Sequence, residues 1–196
     1  MSGKENRLRA SWVAWEQYDT KGNDYADEMA EIVGFASVES FWRFFENFPK
    51  MSDILFDGMT KKALKRIKDG RMSEPKIIRA VSIFKHGVRP EWEATGNVGG
   101  GFFALKRLNN LRQLDALYEA LSMAVVGGSG DPHNVVNGIR VVDKSANGML
   151  SPGLMLSGQQ VRDRTLTGLV VCKLTYCRSM QVQVRDLDWR MQYSHP

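Results

Sequence analysis

The sequence predicts an α+β fold: an antiparallel sheet covered on one face by about three helices, with its other face open to a ligand. Three observations lead there. Short runs of alternating, β-branched and aromatic residues recur along the chain, as in half-buried strands. A few longer runs instead keep an apolar stripe at helical spacing. Nothing resembling a linker, an internal repeat or a low-complexity block divides the 196 residues, so a single domain over 1–196 is expected. Many short strands beside few helices suit an arrangement in which the helices gather on one face of an antiparallel sheet.

In chain order, alternation predicts strands over about 10–17 and 27–34. Ser37 is a suitable N-cap for a helix over 38–48. At about 100° per residue Phe41, Phe44, Phe45 and Phe48 gather on one side of it, with Val38 and Trp42 at the edge of that arc. A short amphipathic helix is predicted over 60–69, with Ala63, Leu64 and Ile67 inward, its basic residues outward and Gly70 as its stop. Strands follow over 79–85 and 102–107. The helix over 110–126 carries the stripe Leu111, Leu114, Leu117, Tyr118, Leu121 and Val125 and ends at Gly127-Gly128; Glu119 and Met123 fall outside the stripe. Further strands are predicted over 138–144, 153–157 and 180–187, with a helix over 159–174 that Gly168 weakens. Asn137-Gly138 and Asn147-Gly148 are turn signals, the second fitting a hairpin.

Composition excludes several classes. Hydrophobic residues make up 43% and aromatics 10%, which argues against disorder. No run approaches the roughly 18 apolar residues of a membrane span, and Met1 to Asn6 lead into no signal-peptide core, so the cytoplasm is the expected compartment, with the nucleus a second. Cys172 and Cys177 with three scattered histidines suit neither a disulfide scaffold nor a zinc site. Gly99-Gly100-Gly101 lacks the Lys-Ser/Thr of a P-loop, Gly127 to Gly130 follow a helix where a nucleotide fingerprint precedes one, and no nucleophile motif accompanies the histidines. Neither catalysis nor a cofactor is expected. The net charge of +5 is local: residues 61–71 hold six basic residues against one acidic, leaving 21 of each elsewhere. Such a segment is a footprint for a polyanion such as an RNA backbone, or else a solvated helix face.

The most informative motif is Val88-Arg89-Pro90-Glu91-Trp92-Glu93, which sets a tryptophan beside a carboxylate in a loop between two strands. A ring on a Pro- and Gly-bounded connection is suited to exposure at a mouth. Its face favours positive charge, and the carboxylate accepts from an N–H edge. Guanine methylated at N7 is a ligand of that kind.

Ser82 to Glu93 resembles the third strand and second cap-stacking loop of the translation initiation factor 4E family, which binds the 7-methylguanosine cap of messenger RNA. Ser37-Val38-Glu39-Ser40-Phe41-Trp42 resembles the start of that family's first helix, and Trp12-Val13-Ala14-Trp15 its first strand. The likeness covers most of the chain and is weakest after about residue 150. It implies a strongly curved sheet shaped like a cupped hand, with helices on the convex face and the cap pocket on the concave one. It implies that Tyr25, where the family has tryptophan, and Trp92 sandwich the base, while Glu93 accepts from its N1–H and exocyclic amine. The segment 49–78 is longer than the pattern requires and is expected to be a basic insertion.

The same resemblance implies cations for the cap phosphates. Lys144 stands where the family has an arginine, and alternation puts Arg140 on the same strand face. Other positions depart: Phe102 stands at another usually basic position, the family's lysine in the turn after Lys144 has only the uncharged Asn147 and Met149 as local counterparts, and Arg162, Arg164 and Arg190 are unplaced candidates. No tryptophan is available for the N7 methyl, leaving Met155 or Leu156. On the helical back, the family binds a Tyr-x-x-x-x-Leu-hydrophobic helix of a 4G-type scaffold initiation factor or of translational repressors. Leu8, Val38, Trp42, Glu119 and Met123 match its partner patch, although Asn6-Arg7 replaces the family's His-Pro. Two alternatives remain open: a same-fold interaction protein or repressor that binds cap weakly, and a general binder of single-stranded RNA indifferent to the methyl group.

Overall fold

The computed structural model describes residues 5–19, 29–55, 62–64, 67–68, 71–72, 75–91, 93–98, 100–105, 111–129, 131, 133–143, 152–158 and 187–191. In chain order the elements are β1 (Arg7–Tyr18), β2 (Met29–Ser37), α1 (Val38–Asn47), α2 (Met51–Ile54), β3 (Ala63–Leu64), β4 (Ile67–Lys68), β5 (Arg71–Met72), β6 (Lys76–Lys85), β7 (Gly101–Leu105), α3 (Leu111–Val126), β8 (Val136–Asp143), β9 (Pro152–Gly158) and β10 (Leu187–Met191). The curved main sheet runs β10-β7-β9-β8-β6-β1-β2, with β3 added to β6, and each of these pairings is antiparallel.

Alternation along three central strands gives the sheet two different faces. Ala14, Ile83 and Ile139 stand opposite one another across β1, β6 and β8 and are fully buried. They join Trp12, Val81 and Val141 in a core shared with Phe41 and Phe44 of α1 and Leu114, Leu117, Tyr118 and Leu121 of α3. Burying each isoleucine there contributes roughly 2 kcal/mol. The intervening residues Val13, Trp15 and Phe84 form a separate small cluster with Val88 on the other face. This is the period-2 pattern that the sequence displayed, set between helices on one side and an open face on the other.

α1 starts where its cap predicts. The Ser40 backbone N–H donates to Ser37 Oγ at 3.2 Å and the Ser37 N–H donates to Ser40 Oγ at 3.0 Å, so two orphan donors are satisfied reciprocally. Its phenylalanines lock it in place: Phe44 stacks on Phe35 of β2 at 5.8 Å and Phe45 stacks on Tyr118 of α3 at 5.8 Å. α2 is fastened to α3 by Asp115, which accepts from the Ser52 N–H at 2.9 Å and from Ser52 Oγ at 2.6 Å. Met51, Ile54 and Leu55 are buried in the core, so the expected insertion at 49–78 is tied in at its start, and it ends inside β6.

Two expectations are corrected. The helix over 60–69 is not formed: Ala63–Leu64 pair with Lys76 and Ile77, and Ile67–Lys68 pair with Arg71 and Met72. Over so few residues the Ala63, Leu64 and Ile67 spacing fits either period, and Asp69-Gly70, a hairpin signal, separates the second pair in sequence. Asn137-Gly138 is likewise no turn but lies within β8, beside a register irregularity between Val136 and Gly138. The glycine is needed there because a Cβ would come within 2.5 Å of the Phe84 ring and 2.7 Å of the Ile83 carbonyl oxygen. The helix expected over 159–174 and most of the strand expected over 180–187 lie outside the described residues; β10 begins at Leu187.

Gly138→Ala is therefore expected to lower stability by about 1–3 kcal/mol, because backbone cannot yield as a side-chain tip can. Gly34→Ala, whose new Cβ would meet nothing closer than the Trp12 carbonyl oxygen at 3.7 Å, should stay within about 0.5 kcal/mol of the parent. Urea-unfolding midpoints of the two variants check this; equal losses would reject the close-approach account.

Candidate functional site

The segment after β6 is built to hold one shape. Gly87 takes φ of 84°, in the left-handed region, and Val88 N–H closes a turn on the Lys85 carbonyl at 3.0 Å. Three successive carbonyls are then held by side chains. Asn97 Nδ2 donates to the Arg89 carbonyl at 2.9 Å and to the Glu91 carbonyl at 2.7 Å. Between them, the Pro90 carbonyl accepts from Arg140 Nη1 at 2.7 Å. Asn137 Nδ2 fastens the far side of the loop, donating to the Gly96 carbonyl and to Asn97 Oδ1.

Arg140 reaches Pro90 from the middle of β8, in line with Ser82 of β6 and Trp15 of β1, and its second terminal nitrogen donates to Gln17 Oε1. The loop leaves β6 at one end of the sheet, and the arginine draws it back over the open face. Arg89 lies 5.7 Å over the Trp15 ring and pairs with the Glu91 carboxylate at 2.7 Å. Glu91 is thereby engaged, whereas Glu93 is exposed. The strand ends bounding residues 20–28 and 144–151 sit together at the opposite end of the sheet: Tyr18 pairs with Ile78, Val142 with Ala80 and Asp143 with Pro152.

The helical side presents a different surface. Val38 and Met123 are each 39% exposed, Glu119 is exposed, and Trp42 and Leu8 are half-buried. Trp42 rests edge-on against Phe41 at 5.3 Å and lines a cleft with Glu119. Leu8 lines a second groove with Ser37 and Ser40 at the start of α1. Asn6 fixes the approach of β1: its N–H and Nδ2 donate to the Glu39 carboxylate at 3.0 and 2.8 Å, and its carbonyl accepts from the Val38 N–H at 2.8 Å. Hydrogen bonds from the helix's own backbone and from Asn6 hold the Glu39 carboxyl below its ordinary value.

The family model described as Eukaryotic initiation factor 4E matches residues 7–151. The chain belongs to this family. A Schizosaccharomyces pombe relative, eukaryotic translation initiation factor 4E-2, is 29% identical over 130 residues, covering 66% of this chain and 45% of that protein. The Saccharomyces cerevisiae factor 4E is 22% identical over 135 residues, covering 67% and 54%. The chain thus spans about half the length of these relatives. Among solved structures, Ascaris suum eIF4E-3 in complex with the m7G cap matches with a TM-score of 0.74 at 16% identity, covering 98% of this chain and 94% of that one. Caenorhabditis elegans eIF4E-3 with the 4E-binding protein Mextli matches with a TM-score of 0.70 at 17% identity, covering 96% and 94%.

Of the expected cap-site residues of this 4E-family chain, Tyr25, Trp92 and Lys144 lie outside the described residues, and Glu93 is exposed on the pinned loop. Arg140 is on the predicted face, and its guanidinium bonds within the protein. It is only 9% exposed, and a guanidinium so placed must satisfy its donors with the acceptors at hand, here Pro90 and Gln17. Sequence reading missed Gln17, Asn97 and Asn137 as loop anchors. A usable signal existed for two of them, since alternation puts Gln17 on the face of Trp15, and an Asn-Gly pair inside a strand pattern marks a bulge.

Arg140→Leu is expected to remove the donor to the Pro90 carbonyl and to Gln17 Oε1 and cost about 2–4 kcal/mol, with amide exchange rising first across residues 88–98. Hydrogen exchange resolved by segment checks this. Uniform loosening of the whole sheet, or none in the loop, would contradict an anchoring role.

Proposed function

We propose that this chain binds the 7-methylguanosine cap of messenger RNA on its open sheet face and docks a scaffold initiation factor of the 4G type on its helices, joining the two during translation initiation. The observation that carries the reading is the loop beside position 92. Its three preceding carbonyls are each held by a side chain, so a ligand meets a framework whose ordering cost is already met. The exposed Glu93 stands immediately beyond it. Ascaris suum eIF4E-3, of the same fold, was solved with the m7G cap, and Caenorhabditis elegans eIF4E-3 with a 4E-binding protein.

In this reading Tyr25 and Trp92 stack on the two sides of the base. Methylation at N7 leaves the ring with a delocalised positive charge, so cation–π attraction adds to stacking, about 1–3 kcal/mol for each aromatic contact. Glu93 accepts from N1–H and the exocyclic amine, a donor pair that adenine lacks. Lys144 meets the phosphates as a point charge, without the bidentate geometry of an arginine. Arg140 serves the site indirectly, by fixing the loop. Leu8, Val38, Trp42, Glu119 and Met123 receive the apolar side of a Tyr-x-x-x-x-Leu-hydrophobic helix, with Trp42 as anchor. One observation favours the second reading, a repressor that holds partners yet binds cap weakly: Arg140 is engaged inside the protein, which thins the phosphate grip.

Trp92→Ala and Glu93→Ala should each weaken retention on 7-methylguanosine resin about 10- to 100-fold, while Trp42→Ala spares retention and releases the scaffold helix. Fluorescence titration with methylated and unmethylated cap dinucleotides gives the affinities. Equal binding of both dinucleotides, or undiminished binding by both loop variants, would falsify the cap assignment. Weak but methyl-selective binding beside tight scaffold docking would select the repressor.

A further inference from the structure

The 49–78 segment holds cations that the cap reading leaves unused, and some of them lie on described strands. Residues 61–79 contain eight basic residues and two acidic ones, more than the whole net charge of +5. The root of this segment is fastened twice: Lys62 Nζ donates to the Ser52 carbonyl, and β3 pairs with Lys76 and Ile77 at the start of β6. β4 and β5 then pair as a small hairpin in which Lys68 stands directly opposite Arg71. Lys76, whose Nζ lies 4.4 Å over the Tyr18 ring, and Arg79 are exposed on β6.

Two features point to a ligand. Like charges in directly opposed strand positions destabilise a pair, and a bound polyanion removes that repulsion. The location is the second. The start of β6 pairs beside the end of β1 and, at Ala80, beside the end of β8, so β3 and the start of β6, which flank the β4–β5 pair in sequence, join the sheet at the end that also bounds residues 20–28 and 144–151. Those connections carry Tyr25 and Lys144, and nucleotides that follow a cap held there are the polyanion closest to hand.

We propose that the hairpin β4–β5 and the start of β6 form a second, sequence-indifferent surface for the ribose-phosphate backbone of the single-stranded RNA that follows the cap. This inference rests on the cap reading for the direction from which RNA arrives, but its electrostatics are independent of it. Lys68, Arg71 and Arg79 supply the charge, and each phosphate contact releases condensed counterions.

The test compares the full chain with the combined variant Lys68→Gln, Arg71→Gln, Arg79→Gln against three probes: a cap dinucleotide, a capped oligonucleotide of ten nucleotides and the same oligonucleotide uncapped. The variant should bind both oligonucleotides about tenfold or more weakly at low salt, with a log–log salt slope shallower by about 2, and bind the dinucleotide within twofold of the parent. The charge-conserving variant Lys68→Arg, Arg71→Lys, Arg79→Lys should retain parental affinity. An equal loss on dinucleotide and oligonucleotide, or unchanged oligonucleotide affinity, would overturn the proposal, as would displacement of the uncapped RNA by polyglutamate of matched charge at equal concentration. If the parent ignores the dinucleotide, the cap reading fails alone, and the uncapped arm still decides this surface.

Discussion

The open face of this protein depends on one buried guanidinium. Arg140 stands at a central position of the sheet, where an arginine is costly unless its donors find acceptors, and it finds them in Pro90 and Gln17. That requirement works in both directions. The arginine gains the Pro90 carbonyl while the loop lies back across the sheet, and the arginine in turn holds the loop there. Asn97, within the loop, and Asn137, on β8 with Arg140, extend the lock to the carbonyls of Arg89, Glu91 and Gly96. A loop bounded by glycines would otherwise forfeit much conformational entropy on meeting a ligand.

The two faces of the sheet divide the chemistry. Helix-side residues form a continuous apolar core, in which Phe35, Phe44, Phe45 and Tyr118 stack between β2, α1 and α3. Burial also pushes the Tyr118 hydroxyl above its ordinary value. Among the described residues, the open side has the small cluster of Val13, Trp15, Phe84 and Val88. Substitutions on opposite faces share no partner in these networks and are expected to combine additively. That independence lets one domain serve two unlike ligands, as the proposed function requires.

Most of the framework was legible because its signals are local and repeated. Period-2 alternation located β1, β6 and β8; Ser37 located the start of α1; the leucine stripe located α3 and left Glu119 and Met123 outside it, as the structure does. Legibility failed where a short signal had two physical meanings. Ala63, Leu64 and Ile67 suit one helical turn or two paired strands equally, and for Ala63 and Leu64 the partner strand that decides between them begins only at Lys76. An Asn-Gly pair suits a hairpin turn or a bulge, and only the approach of Phe84 to Gly138 shows which. Alternation put Arg140 on the correct face, but it specifies only a direction, so the bonds to Pro90 and Gln17 could not be read from it.

The same limit explains why departures from a family pattern need geometry before they acquire meaning. Asn6-Arg7, in place of His-Pro ahead of Leu8, reads in sequence as a missing anchor. In the structure Asn6 holds both the Glu39 carboxylate and the Val38 N–H, so the arm is fastened at the first turn of α1 by different chemistry. A carboxylate in that first turn also complements the positive end of the helix. Substituted anchors of this kind preserve a surface while changing the forces that hold it: hydrogen bonds to a charged group are directional and weaken as the carboxylate is protonated, whereas proline packing is indifferent to pH. Since the Glu39 carboxyl titrates below its ordinary value, the fastening is complete above the usual glutamate range and is lost only as pH falls through the lowered value. At neutral pH the exchange therefore leaves the arm bonded to the first turn of α1.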